Sequence, residues 1–171
     1  TLTGGGLTAR VLTLGAIVQD LRLEGVDHPL VLGFDTLGSY LAQGRYFGAL
    51  VGRFANRIGG AGFVLDGRAY HTDPNFLDRH TLHGGAAGTH ARLWHIAARR
   101  PDAVLLVLDL PDGDMGFPGH LRIEAQISLS HRALRLSLRA ETDAPTPCSL
   151  SHHGFFNLDD GGDIRQHRLE I

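Results

Sequence analysis

The sequence predicts an all-β fold. Apolar and polar residues alternate with period two in several short segments, which is the pattern of strands that bury one face. Turn-forming residues separate these segments, and many of the 23 glycines cluster between them. The pattern contains no convincing long helix. Short strands with frequent turns are typical of a β-sandwich or a barrel.

The first quarter of the chain contains three strand candidates and one helical turn. Residues 11–14 and 17–23 are rich in apolar side chains, and residues 31–32 form a shorter apolar candidate. Residues 37–41 are expected to form one turn of helix after Asp35.

Two hairpins are predicted in the middle of the chain. Residues 63–65 and 68–70 flank Asp66-Gly67, a dipeptide that supplies the positive φ angles of a tight hairpin turn. Residues 94–98 and 104–110 predict a second hairpin, with its turn around Pro101.

The longest alternating segment covers residues 121–129, where apolar and polar residues follow each other without a break. After a turn at residues 130–132, the alternation returns with Leu134, Leu136 and Leu138. This pattern predicts a pair of antiparallel strands, each with one buried face.

Composition indicates one soluble globular domain over residues 1–171. Hydrophobic residues make up 43% of the chain, charged residues 20%, and the formal net charge is −2. Such a charge gives no reason to expect nucleic acid or a membrane surface as partner. No apolar run approaches the roughly 20 residues of a membrane span. Cys148 is the only cysteine, so no internal disulfide forms, and we expect a cytoplasmic protein.

Polar residues cluster beside glycines and aromatic residues in three segments, residues 52–58, 81–85 and 151–158. Each segment taken alone has a structural interpretation. Arg57 could be a solvated charge, His83 could cap a turn, and His153 could be a buried histidine with satisfied ring nitrogens.

Eleven histidines raise the question of a metal site, and their spacing does not favour one. Neighbouring residues on a strand point to opposite faces, so His152 and His153 are badly placed to hold one ion. The sequence has neither a His-x-x-x-His nor a Cys-x-x-Cys pair. Residues 59–62 are glycine-rich but precede a strand, so they do not form a phosphate loop at a helix N-terminus.

Five motifs together, in this order, resemble the aldose 1-epimerases, also called galactose mutarotases. The match runs nearly from end to end, and five motifs in the right order are a strong signal where one would be weak. The motifs are Val31-Leu32-Gly33-Phe34-Asp35; Tyr46-Phe47-Gly48-Ala49 leading into Gly52-Arg53-Phe54-Ala55-Asn56-Arg57-Ile58; Leu82-His83-Gly84-Gly85, with Trp94 after it; Asp112-Gly113-Asp114-Met115-Gly116-Phe117-Pro118-Gly119; and His153-Gly154-Phe155-Phe156-Asn157-Leu158.

The resemblance implies a large antiparallel β-sandwich with a free sugar as its small-molecule substrate, and no cofactor or metal. The implied reaction interconverts the α and β anomers of an aldohexose by acid–base catalysis. His153 matches the proton donor, and Asn56, Arg57 and His83 match residues that bind sugar hydroxyls, with His83 also expected to assist catalysis. Phe155 stands in the binding site where the family often has Tyr.

Two further expectations come with the resemblance. The family's general base is a glutamate in the C-terminal half, and nothing up to Ile171 matches it. We therefore expect a chain truncated at its C-terminus, and slightly at its N-terminus, that catalyses poorly when expressed alone. His152 replaces an Asn that is common before the proton donor, and we interpret it as a neutral surface change rather than as a residue that tunes His153.

Two other functions stay open on the sequence alone. One is an epimerase of hexose 6-phosphates from the same superfamily, which would need cations around the cleft beyond Arg99 and Arg100. The other is a carbohydrate-binding domain without activity. A pure binding site has no need of a proton donor, so the histidines favour an enzyme.

Overall fold

The computed structural model describes residues 1–170, and it confirms the all-β prediction. Antiparallel strands dominate, and the only α-helix among the described residues is the short α1. The elements are β1 Leu2–Gly4, β2 Leu7–Val11, β3 Val18–Leu23, α1 Leu37–Ala42, β4 Leu50–Val51, β5 Arg57–Ile58, β6 Gly62–Leu65, β7 Arg68–His71, β8 Thr81–Leu82, β9 His95–Arg100, β10 Ala103–Leu110, β11 Leu121–Ser130, β12 Ala133–Thr142 and β13 Ser151–His152, with 3-10 turns at Gly59–Ala61, Thr89–Ala91 and Asp114–Gly116.

Two sheets form the body of the sandwich. One has the strand order β1-β2-β3 and the other the order β12-β11-β10-β9. Their facing sides share one apolar core, in which Leu7 and Ala9 of β2 meet Ile123, Ala125 and Ile127 of β11. The strands β13-β4, β5-β8 and β6-β7 form three separate two-stranded sheets.

The alternation that predicted β11 corresponds to its burial. Ile123, Ala125 and Ile127 are buried, while the residues between them are at least partly exposed. β11 pairs along its whole length with β12, from Leu121 opposite Thr142 to Ser130 opposite Ala133. The predicted strand pair and its turn are therefore confirmed, but the face of β12 is covered only in part: Leu134 and Leu136 are half-buried and Leu138 is exposed.

The hairpin predicted around Asp66-Gly67 is also confirmed. Leu65 pairs with Arg68, and both turn residues have positive φ angles, 50° at Asp66 and 76° at Gly67. Two positive φ angles are characteristic of a type I′ turn, whose twist matches that of the strands it joins.

Two strand predictions near the N-terminus were wrong in their positions. The strand expected over residues 11–14 is β2, which ends at Val11, and Leu14 makes only an isolated bridge to Leu93. The missed part of β2 follows a glycine-rich turn that hid its start. The strand expected over residues 31–32 is reduced to a bridge between Val31 and Phe156.

No helix within residues 1–170 has both the length and the apolar character needed to cross a membrane.

Arg53 is the largest fully buried side chain of the described residues, with 2% of its surface exposed. Its Nη1 donates to the carbonyl oxygens of Pro118 and Gly119 at 2.8 and 2.7 Å and to Oγ1 of Thr146 at 3.3 Å. Its Nη2 donates to the carbonyl oxygen of Pro111 at 3.4 Å. The guanidinium thus ties the segment after β4 to two distant loops.

We predict that Arg53→Met destabilises the fold by about 3–5 kcal/mol, because buried carbonyl groups lose a charged donor and no water replaces it. The free energy of unfolding in urea measures this loss. Arg122→Ala is the matched control: Arg122 pairs with Asp109 at 3.0 Å on the exposed face of the sheet, and its loss should cost about 1 kcal/mol or less. Equal costs for the two variants would contradict the importance assigned to Arg53.

Candidate active site

Strand β13 positions His153. Ser151 and His152 of β13 pair with Val51 and Leu50 of β4. The backbone of His153 continues this ladder: its N–H donates to the carbonyl oxygen of Ala49 at 2.8 Å, and its own carbonyl oxygen accepts from Gly48 at 3.0 Å. The position of His153 is therefore fixed by main-chain bonds on both sides.

A second pair of strands positions His83 beside Arg57. Arg57 of β5 pairs with Leu82 of β8, and the N–H of His83 donates to the carbonyl oxygen of Asn56 at 2.9 Å. Both Asn56 and His83 have left-handed backbones, with φ of 65° and 52°. Such angles are uncommon outside glycine and concentrate at functional positions, where the surrounding structure holds them in place.

Glycines allow the loop after His83 to pack directly against the backbone of Gly52, the residue that follows β4. Gly84 has φ +83°, and a Cβ there would collide with the carbonyl oxygen of Gly52. Thr89 then fastens the loop, because its Oγ1 donates to the carbonyl oxygen of Leu50 at 2.6 Å. The N–H of Thr89 also donates to Gly52, at 3.1 Å. These contacts set the distance between His83 and the strand that carries His153.

These segments enclose an open cleft of about 480 Å³. Four of the predicted site residues lie in its wall together: Asn56, Arg57, His83 and His153. The other lining residues are Tyr46, Val51, Ala55, Leu82 and Ser151. No Asp or Glu within residues 1–170 lines this cleft.

The ring of His83 has a defined tautomer. Its Nδ1 accepts a hydrogen bond from the N–H of Asn56 at 3.0 Å, so Nδ1 carries no proton. Burial, the charge of His153 and the charge of Arg57 lower the pKa of His83 to about 4. Near neutral pH the imidazole is therefore uncharged, with its proton on Nε2, and His83 can donate one hydrogen bond from that atom.

Arg57 is held by two contacts although it is exposed. Its Nη1 donates to Oδ1 of Asn56 at 2.9 Å. Its guanidinium lies over the ring of Phe76, 4.7 Å from the ring centroid. A cation over an aromatic ring is worth about 0.5–1 kcal/mol at an exposed site, so Phe76 restricts where the Arg57 donors point.

Phe155 does not line the cleft. Its ring stacks on Phe47 with centroids 4.7 Å apart, and it lies 5.2 Å from the ring of His153. It therefore packs beside the ring of His153 and is not among the residues that line the cleft. Sequence reasoning placed Phe155 among the substrate-binding residues, and the structure does not bring it there.

The interpretation of His152 as a surface residue is wrong. Its Nε2 is buried and has no hydrogen-bond partner among the described residues. Burial lowers the pKa of this imidazole, and a nearby backbone hydrogen bond at Gly48 and the charge of His153 modify it further. His152 points away from the cleft, as expected for the neighbour of His153 on an extended chain.

Sequence reasoning missed two aromatic residues of the site. Tyr46 lines the cleft, and its ring centroid lies 4.8 Å from His83 and 5.7 Å from His153. His90 packs on the same tyrosine at 4.7 Å from the side away from the cleft. Tyr46 stands in one of the family-like motifs, which was the available signal. No pattern in the sequence marked His90.

His90 is almost completely buried, with 4% of its surface exposed, and neither ring nitrogen has a hydrogen-bond partner among the described residues. Burial, followed by the charges of Arg45, His83 and His153, lowers its pKa to about 4. The imidazole is therefore neutral at ordinary pH and packs as an apolar ring behind Tyr46.

No three His, Cys, Asp or Glu side chains within residues 1–170 lie close enough to hold one ion. His83 and His153 face each other as rings, 5.0 Å apart and nearly perpendicular.

The sequence comparisons agree with the geometry. The family model described as Aldose 1-epimerase matches residues 1–171. The aldose 1-epimerase of Escherichia coli (strain K12) is 33% identical over 97% of this chain and 49% of its own length. The galactose mutarotase of Rattus norvegicus is 35% identical over 96% of this chain and 49% of its own length. The chain thus spans about half the length of these curated relatives.

Solved structures give the same picture of the fold. A GalM/aldose epimerase homologue from C. elegans superposes with a TM-score of 0.86 at 32% identity, over 92% of this chain and 50% of the other. Galactose 1-epimerase from Lactobacillus acidophilus NCFM superposes with a TM-score of 0.79 at 26% identity, over 90% of this chain and 46% of the other.

The buried His90 generates a prediction about stability. Its pKa is about 4 in the folded chain against an ordinary 6.5, so between these values the unfolded chain binds more protons and stability falls as the pH is lowered. From about pH 7 to about pH 5, His90 alone should remove about 2 kcal/mol from the free energy of unfolding. His90→Leu should lose correspondingly less over this range.

Urea unfolding at the two pH values measures the difference. His83 and His152, whose pKa values are also lowered, account for part of the pH dependence that the variant keeps. A pH dependence identical to that of the unmodified chain would contradict a neutral, buried His90.

Proposed function

The chain belongs to the aldose 1-epimerase family, and we propose that its protein interconverts the α and β anomers of a free aldohexose of the glucose or galactose type. The substrate is a small sugar molecule that binds in the cleft of about 480 Å³. The net charge of −2 gives no reason to expect nucleic acid or a membrane surface as a partner. We place the protein in the cytoplasm, where a chain segment with one cysteine needs no disulfide.

One observation carries this proposal. The imidazoles of His153 and His83 lie 5.0 Å apart in the same cleft as Asn56 and Arg57. An imidazole, which can donate a proton, thus stands beside several fixed hydrogen-bond donors. Ring opening of a hemiacetal requires this combination: one proton leaves the anomeric hydroxyl, another reaches the ring oxygen, and the other hydroxyl groups must be held in place meanwhile.

In the proposed reaction a base removes the proton of the anomeric hydroxyl while His153 donates a proton to the ring oxygen. The bond between the anomeric carbon and the ring oxygen breaks, and its electron pair stays on that oxygen. The product is an open-chain aldehyde. Rotation about the bond next to the carbonyl presents its other face, and closure in the reverse sense returns both protons and gives the other anomer.

His83 acts in this scheme as a neutral donor. Because its Nδ1 accepts from Asn56, its remaining proton is on Nε2 and is available to an oxygen of the sugar. The lowered pKa of about 4 keeps His83 uncharged near neutral pH. His83 is therefore proposed to donate a hydrogen bond only, and His153 to deliver the proton.

Arg57 and Asn56 act in binding. The planar guanidinium offers several donors in a fixed fork, which suits neighbouring hydroxyl groups. Phe155 is proposed to act indirectly, by packing against the ring of the proton donor His153. The base is proposed to be a glutamate outside residues 1–171.

Polarimetry tests the function directly. The protein, expressed from its full reading frame, is mixed with crystalline α-D-glucose or α-D-galactose, and the approach of optical rotation to equilibrium is compared with the spontaneous rate. We expect acceleration proportional to protein concentration. A rate equal to the buffer control with both sugars would overturn the proposal.

Replacing the proton donor should abolish most of the activity. His153→Asn, in the same full-length protein, is expected to lower kcat by at least about 10²-fold, the low end for a lost general acid. His131→Asn is the matched control, since His131 lies in the turn between β11 and β12. A near-normal kcat for His153→Asn would refute the assignment, and His152 would then be tested in its place.

Replacing Arg57 should weaken binding and orientation instead. Arg57→Ala is expected to lower kcat/KM by an amount worth up to about 3 kcal/mol, as for a charged hydrogen bond lost in a cleft. Arg68→Ala is a close control, because Arg68 also lies over an aromatic ring, 5.1 Å from that of Tyr70. If Arg57→Ala lowers Tm strongly and leaves the kinetics intact, Arg57 is a structural residue.

A further inference from the structure

We propose that Tyr46 is a positioning residue for the acid–base pair, and that its ring holds the imidazoles of His83 and His153 in their mutual orientation. This inference rests on the proposed function for its kinetic consequences. Its structural consequence, the orientation and environment of two imidazoles, can be measured without any activity.

The ring of Tyr46 packs against both imidazoles. Its centroid lies 4.8 Å from that of His83, with an edge-on geometry of 62°, and 5.7 Å from that of His153, with a tilt of 30°. His83 and His153 also contact each other directly, with centroids 5.0 Å apart at 87°. Three rings in mutual contact leave each imidazole few rotamers that avoid a clash, so removal of the Tyr46 ring would free both.

Tyr46 is itself supported from behind. His90 packs on its ring at 4.7 Å, and the guanidinium of Arg45 lies 5.6 Å from its centroid. The backbone around Tyr46 is a turn, closed by a hydrogen bond of 3.1 Å from the N–H of Ala49 to the carbonyl oxygen of Tyr46. The same Ala49 accepts from the N–H of His153 at 2.8 Å. Tyr46 and His153 are therefore fixed to one another through the main chain and through their rings.

His83 needs this support more than His153 does. One nitrogen of His83 is fixed by Asn56, but a single hydrogen bond to Nδ1 leaves the tilt of the ring free. The edge contact with Tyr46 removes that freedom and directs Nε2. It also keeps water from the ring of His83, and exclusion of water is the first cause of its lowered pKa.

The ring of Tyr46, and not its hydroxyl, carries the proposed effect. The hydroxyl makes no hydrogen bond with any residue from 1 to 170. Tyr46→Phe should therefore keep kcat within about 3-fold of the unmodified protein. Tyr46→Leu, which removes the aromatic ring and keeps an apolar side chain, should lower kcat by about 10- to 10²-fold, the scale of a misplaced reacting group. KM should change far less than kcat.

Tyr70→Leu is the matched control. Tyr70 is also half-buried, stacks on a ring at 5.3 Å and has a guanidinium 5.1 Å from its centroid, but it lies on β7 outside the cleft. This variant should keep kcat, so a loss confined to Tyr46→Leu cannot come from removing a tyrosine as such.

Imidazole NMR is the second readout, in the full-length protein with labelled histidines. In Tyr46→Leu the pKa of His83 should rise from about 4 towards its ordinary value of 6.5, because water reaches the ring. The pH profile of kcat should shift with it. Tyr46→Met, with a flexible apolar side chain, serves as second variant if Tyr46→Leu does not fold.

The outcomes separate the two proposals. If the unmodified protein accelerates mutarotation and Tyr46→Leu keeps its kcat and pH profile, the positioning proposal is wrong. A rise in KM with kcat unchanged would also overturn it and would make Tyr46 a surface for the sugar. If the unmodified protein is inactive, the proposed function fails, while an unchanged His83 titration in Tyr46→Leu would still refute the positioning.

Discussion

The buried guanidinium of Arg53 fixes the positions of the chain segments that carry the candidate active site. Arg53 has lost its water, and carbonyl oxygens on residues 111, 118 and 119 take its place, together with the hydroxyl of Thr146. Desolvating a guanidinium is costly unless its donors are satisfied; here the two terminal nitrogens are satisfied, while the buried Nε has no partner among the described residues. Arg53 can be buried only if these loops come to it, and the loop at 146 leads directly into the segment that becomes β13.

The positions of His153 and His83 follow from backbone contacts made next to Arg53. Ser149 donates to the carbonyl oxygen of Arg53 at 2.9 Å, and the chain then pairs with β4 until it reaches His153. On the other side, Gly84 lies against Gly52 where no side chain fits. The two histidines approach each other because backbone bonds and one steric constraint bring their segments to the same strand.

The sequence predicted the positions of the alternating strands more accurately than it predicted which residues meet in the cleft. β11 and β12 and the Asp66-Gly67 turn follow from local alternation and local φ preference, so their positions could be found. β2 was misplaced because its start follows glycines that carry no side-chain pattern. Asn56, Arg57, His83 and His153 could be named only through the family resemblance, since their meeting depends on pairing across about 100 residues of chain, which periodicity does not report.

Tyr46 and His90 show the physical limit of prediction from the sequence. Tyr46 stands in a family-like motif but was not chosen as a site residue, and nothing in the sequence marked His90, because their packing depends on several segments at once. Around His83 this packing and the nearby cations favour the neutral imidazole, with a pKa of about 4. A neutral donor can stand 5.0 Å from His153 without opposing a proton there. In the proposed mechanism the two histidines therefore have different tasks: His83 donates a hydrogen bond and His153 transfers a proton.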